Sequence, residues 1–188
     1  PLPQSPSLRK GFAFPSIRTF LLAFNCVLCY NLHMATISKT KVGLHELLEN
    51  SDFNGIMEVA QERPTIVRTL ISMTYDKSDA VSWRAMEAIG RVTTLWDEEK
   101  TRNLIQRLLW MMREESGTNP WSSGEIISEI LRQNTTPFED VVPIIISFHD
   151  EPILRIGSLW CMHRVGEVRP DLVEPFTHVA REYLDSGD

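Results

Sequence analysis

From about Thr40 to its end the sequence predicts an all-α domain, a stack of short helix pairs. Three observations predict it: apolar residues recur at helical spacing, prolines open one segment after another, and the segments repeat at offsets between 33 and 38. No stretch sustains the period of two that a half-buried strand requires.

Taken in order, the helical period begins at Val42 and predicts helices over 42–49 and 53–63, the second opened by Asp52 as an N-cap. Pro64 stands ahead of a helix over 65–75, where proline suits the first turn. Asp79 caps 80–96, whose stripe is Ala85, Ala88, Ile89, Val92 and Trp96. A helix over 99–114 carries Leu104, Ile105, Leu108, Leu109 and Met112, and after Pro120 a helix over 121–133 carries Ile126, Ile127, Ile130 and Leu131. Thr136 and Pro137 open 138–148, Pro152 opens 152–167, and Pro170 opens 171–185 with a stripe from Leu172 to Leu184.

The segments are copies of one another. Arg63-Pro64-Thr65-Ile66-Val67 lines up without gaps against Arg169-Pro170-Asp171-Leu172-Val173, as two equivalent first helices. Ile66-Val67 returns at an offset of 38 as Leu104-Ile105, and Trp83 of the next helix returns by the same offset as Trp121. A further copy holds Val141-Val142 and Leu154-Arg155, at offsets of 37 and 33. Two helices per unit at this period mark an α-solenoid, a right-handed α-α superhelix.

The second helix of a unit distinguishes the solenoid types. Asp79 to Gly90 has an acidic turn, then Arg84, then Ala85, Ala88 and Gly90 at close-packed positions, which resembles the HEAT-like pattern. Tetratricopeptide spacing and the ankyrin Thr-Pro-Leu-His are absent. Trp83-Arg84-Ala85, Arg107-Leu108-Leu109-Trp110, Glu115-Ser116-Gly117, Trp121, Glu125, Glu129-Ile130-Leu131, Trp160, Arg164-Val165-Gly166 and Val168-Arg169-Pro170 together resemble a family of small prokaryotic HEAT-like repeat proteins, related in fold to phycobilin-lyase repeats. The resemblance covers about residues 44–176 and departs at Thr118-Asn119-Pro120 and around Ser122-Ser123-Gly124. It implies a fold and no particular activity.

Residues 1–36 read as an N-terminal extension to a repeat domain over 37–188. Residues 1–33 hold Arg9, Lys10 and Arg18, no acid, and an apolar run from Phe20 to Leu32; with Met34-Ala35-Thr36 as a natural start, they read as upstream sequence. The competing reading is a targeting segment, the one route by which a membrane would enter, although no Ala-x-Ala-like site follows and the run is too short for a span. Cys26-x-x-Cys29 with His33 is half a metal site without completing ligands, so no cofactor or metal is expected. Three cysteines, Cys26, Cys29 and Cys161, do not make a disulfide framework, and a reducing cytoplasm is the expected compartment.

The chain's formal charge is −6 and the part from residue 34 onward stands at −9, which disfavours a nucleic-acid partner. A protein partner is expected instead. The candidate gripping surface is the concave wall of second helices with Arg84, Glu87, Glu115, Trp121, Glu125, Glu129 and Arg155. Glu125 and Glu129 lie four apart and so share one helical face. Glu114 and Glu115 sit at a helix C-terminus, where the dipole disfavours acids, and call for a cation such as Arg84 or Arg155. Trp83 and Trp121 occupy equivalent positions and predict a tryptophan wall; His163, Glu167 and Cys161 read as packing, and His149-Asp150-Glu151 as a cap on the helix after Pro152. A non-catalytic adaptor is the expected function. The alternative is a lyase or chromophore-handling protein with a deep apolar pocket near Glu115 and Trp121.

Overall fold

The computed structural model describes residues 41–113 and 122–186. All the described residues belong to one unit of the chain, Lys41–Asp188. The expectations placed on residues 1–33 and their cysteines, on Glu114 to Pro120 with Glu115, and on Trp121 lie outside the described residues.

Every regular element among the described residues is helical, and no strand occurs among them. Residues 41–49 form α1. It is followed by α2 (Phe53–Glu62), α3 (Ile66–Ile71), α4 (Ala80–Thr93), α5 (Glu98–Arg113), α6 (Ser123–Gln133), α7 (Val142–Ile146), α8 (Arg155–Gly166), α9 (Pro170–Val173) and α10 (Thr177–Ser186). Asp52 and Asp79 cap as their positions predict, accepting from the backbone N–H of Gly55 and Val81.

Thr136 does not cap: it lies inside a 3-10 turn, Thr136–Val141, and the Thr135 hydroxyl donates instead to the Leu131 carbonyl at 2.6 Å. The helix expected over 138–148 is a short α7 between 3-10 turns, because Phe138 leaves helical geometry at φ −130° and Pro143 brings no N–H to the ladder. Pro175 likewise breaks the expected 171–185 into α9, a 3-10 turn and α10. No side chain of His149, Asp150 or Glu151 caps α8; the Glu151 carbonyl accepts from the N–H of Leu154 and Arg155 at 2.9 Å each.

The helices pack in sequence-adjacent pairs, α3 on α4, α5 on α6 and α7 on α8, and the second members are neighbours in turn, α4 beside α6 and α6 beside α8. Glycines set how near they come. A Cβ at Gly90 would lie 2.5 Å from the Glu129 carbonyl oxygen, and one at Gly124 would lie 3.1 Å from the Gly157 Cα. The core between layers is aliphatic: Met86, Ile89 and Val92 of α4, Ile105 and Leu108 of α5, Ile126, Ile127 and Ile130 of α6, and Phe138 and Ile145 are all sealed from solvent. Each such side chain contributes about 1.5–3 kcal/mol by leaving water. No helix among the described residues is long and apolar enough to cross a membrane.

Candidate functional site

The layer made by α4, α6 and α8 gathers most of the polar residues that stand out in the sequence. Glu125 and Glu129 do share a face of α6, and that face is internal: they are 1% and 2% exposed. Both are therefore removed from the solvent-facing wall expected of them, because cations from neighbouring segments close over them. The Lys77 ammonium, from the turn before α4, hydrogen-bonds Glu125. Arg164 of α8 holds Glu129 through two oxygens, Nε to Oε1 at 2.8 Å and Nη2 to Oε2 at 3.0 Å, a bidentate pairing of the strong kind. The indole N–H of Trp160 donates to Glu129 Oε1 at 2.9 Å as well. Burial alone would lower the Arg164 pKa, yet the hydrogen bond and charge of Glu129, with Glu167 and Glu87 beyond, hold it above its ordinary value.

The pairing continues outward as a ladder. Glu167 accepts from Arg132 at 2.9 Å and from Arg164 at 3.1 Å. Arg132 also stands 3.8 Å from Glu87, which pairs with Arg91 at 2.8 Å. Three successive second helices are thus tied by alternating charge. Trp83 of α4 meets Trp160 of α8 at 4.8 Å between ring centroids, and its indole N–H donates to the Lys77 carbonyl at 2.9 Å.

The two arginines of the candidate surface take backbone roles. Arg84 donates to the carbonyls of Leu48 and Glu49 at the end of α1, at 3.2 and 3.1 Å, where a cation complements the helix dipole. Arg155 donates to the His149 carbonyl at 3.3 Å and lies over the Tyr183 ring at 4.6 Å. His163 packs edge-on to Trp160 at 5.5 Å and faces Glu167 at 3.7 Å. Cys161 is fully buried, and that burial pushes its thiol up to about 12 despite the Ser128 hydrogen bond. Among the described residues no group of three or more His, Cys, Asp or Glu is placed to hold a metal ion.

Two open grooves stand out among the described residues. One, of about 230 Å³, runs between α3 and α5; Ile71, Trp96, Leu104 and Leu108 line it, with Arg68, Lys100 and Arg107 at its edges. The other, of about 620 Å³, lies among α8, α9 and α10, lined by apolar Leu159, Met162 and Leu184 together with His163, Thr177 and Tyr183. The sequence reading singled out neither groove, nor Lys77 and Arg164 as the partners of the two glutamates. A usable signal existed for Arg164: Trp160 and Arg164 are four apart, matching the Glu125 and Glu129 spacing on the facing helix.

Comparison with protein-family models, with curated protein sequences and with solved structures finds no match to this chain.

Proposed function

We propose that the chain is a non-catalytic protein-interaction adaptor, built as a short right-handed α-solenoid of the HEAT-like kind. The observation that carries this reading is the order of packing, in which each second helix lies beside the second helix of the next pair. Stacked pairs at sequence offsets between 33 and 38 are what such a repeat would produce, and repeats of this kind offer extended surfaces to partners. The internal carboxylates fit the same reading. Glu125 and Glu129 already face cations, so their role is to join helices, and a general base needs an accessible proton to take. Contact with a partner then falls to the half-exposed Arg84, Glu87 and Arg155 and to the open first-helix groove.

A second reading, the handling of a small ligand such as a chromophore, draws on the groove of about 620 Å³, which is of ordinary size for a small-molecule site and mixes apolar with polar lining. It sits at α8 to α10; the position the sequence suggested, near Glu115 and Trp121, lies outside the described residues. Purification of the tagged full chain from its source cells, followed by native mass spectrometry and crosslinking, separates the two. A stoichiometric protein partner crosslinked to helices α3 to α6 is the expected result. A bound pigment or metabolite with no protein, lost in a Leu184→Glu variant, would sink the adaptor reading.

A further inference from the structure

On the adaptor reading above, we infer that the groove between α3 and α5 is a docking site for an amphipathic helix that carries carboxylates beside its apolar stripe. The argument is one of charge. The chain is acidic, at −6 overall, yet the described lining of this groove holds Arg68, Lys100 and Arg107 and no carboxylate. All three side chains are exposed. The guanidiniums of Arg68 and Arg107 have neither an ion pair nor a hydrogen bond to any described residue, and Lys100 only lies over the Trp96 ring at 4.0 Å. Five other arginines, Arg91, Arg102, Arg132, Arg164 and Arg169, each meet a carboxylate, and Arg113 and Arg181, which have none among the described residues, lie outside this lining. Three cations along one apolar channel, with no carboxylate in its described lining, are the complement of an acidic ligand.

Geometry narrows the ligand to a helix. Lys100 and Arg107 lie two turns apart on α5, so their stems leave the helix on nearly one line about 10.5 Å apart. Acids at the same spacing on a docked helix have the same separation. Between the two cations Leu104 presents the apolar floor, Ile71 of α3 faces it from the other wall, and Arg68 supplies a third charge from that side. An apolar channel flanked by charge is how grooves receive amphipathic helices.

The test uses the full chain and a fluorescein-labelled synthetic helix of about five turns, with leucines along one stripe and glutamates at every seventh position beside it. Glutamine and lysine versions of the peptide serve as controls, and anisotropy is read at low and high salt. The glutamate peptide is expected to bind about tenfold tighter than the glutamine one, a preference that high salt erases, as for a few exposed charge pairs acting together. Arg68→Glu with Arg107→Glu should reverse the order in favour of the lysine peptide while leaving the helical circular-dichroism signal unchanged. Equal binding of glutamate and glutamine peptides, or a glutamate preference that survives the double variant, overturns the proposal. So does concentration-dependent self-association abolished by that variant, since the occupant would then be a second copy. Retention by the double variant of a partner found by crosslinking refutes the groove alone and leaves the adaptor reading standing.

Discussion

Helices α5 and α6 belong to one pair and face opposite fates. α6 buries every residue from Ser123 to Leu131, two glutamates included, whereas α5 buries only Thr101, Ile105, Leu108 and Met112 of its sixteen. The difference comes from neighbours: α6 has α4 on one flank, α8 on the other and α5 across the pair. Charge on α6 must therefore be matched inside the protein, and it is. Charge on α5 can stay in water, so Arg107 can remain without an internal partner. A middle second helix supplies cohesion, and a peripheral first helix is free to carry recognition.

Removing a charge from the sealed side gives the largest expected effect. Glu129→Ala leaves the Arg164 guanidinium, 12% exposed, without its bidentate partner and the Trp160 indole without its acceptor. Urea unfolding is expected to show a loss of about 3–5 kcal/mol, the usual result of breaking one side of a buried pair. Adding Arg164→Met should recover part of that loss, because much of the cost lies in a largely buried guanidinium left with Glu167 alone at its edge rather than in the missing attraction. A Glu129→Ala chain as stable as the wild type would mean that the α4, α6, α8 layer is not sealed, and the contrast with α5 would collapse.

The same contrast decides what could be read before the structure. α4 was legible from its start to Gly90, where Asp79 as cap, an apolar stripe of period 3.6 and a close backbone approach agree, but it ends at Thr93 and not at the expected 96, so Trp96 lies past it. α7 was not, since Val141 to Ile146 is apolar enough for a longer helix while Phe138 and Pro143 break the geometry locally. The face shared by Glu125 and Glu129 was legible too, but its direction was not. Spacing states which residues point the same way; what covers them depends on Arg164 and Lys77, each more than thirty positions away along the chain. The groove escaped for a related reason, because Arg68 and Arg107 meet only once two helices of different pairs stand side by side.

Alkaline pH probes the sealed layer a second way. Cys161 of α8 has its thiol pushed up to about 12 by burial, against a usual value near 8.5 in an unfolded chain. Below about pH 8 both states keep the proton and Cys161 adds no pH dependence. Above it the unfolded chain gives up the proton while the folded one retains it, so the unfolded state binds fewer protons and stability falls as pH rises, by about 1.4 kcal/mol per unit. Between pH 8 and 10.5, under reducing conditions, the wild type should lose roughly 2 kcal/mol more than Cys161→Ala, the titration of other groups being common to both. Parallel losses would mean that solvent reaches Cys161 between α6 and α8.

The smallest expected effect tests the open side. Arg68→Ala and Arg107→Ala remove exposed cations with no partner among the described residues, so neither should change unfolding free energy by more than about 0.5 kcal/mol, the ordinary range for surface substitutions. A loss several times larger in either would give these arginines a structural partner and remove the reason for regarding them as unspent. A null result has positive content. Stability does not require three cations to line one apolar channel of an acidic chain, and their repulsion for one another is a small cost that folding alone never recovers. Charges that do nothing for the fold are free to serve a partner, and the peptide selectivity of the Arg68 and Arg107 variants is where that service would be read.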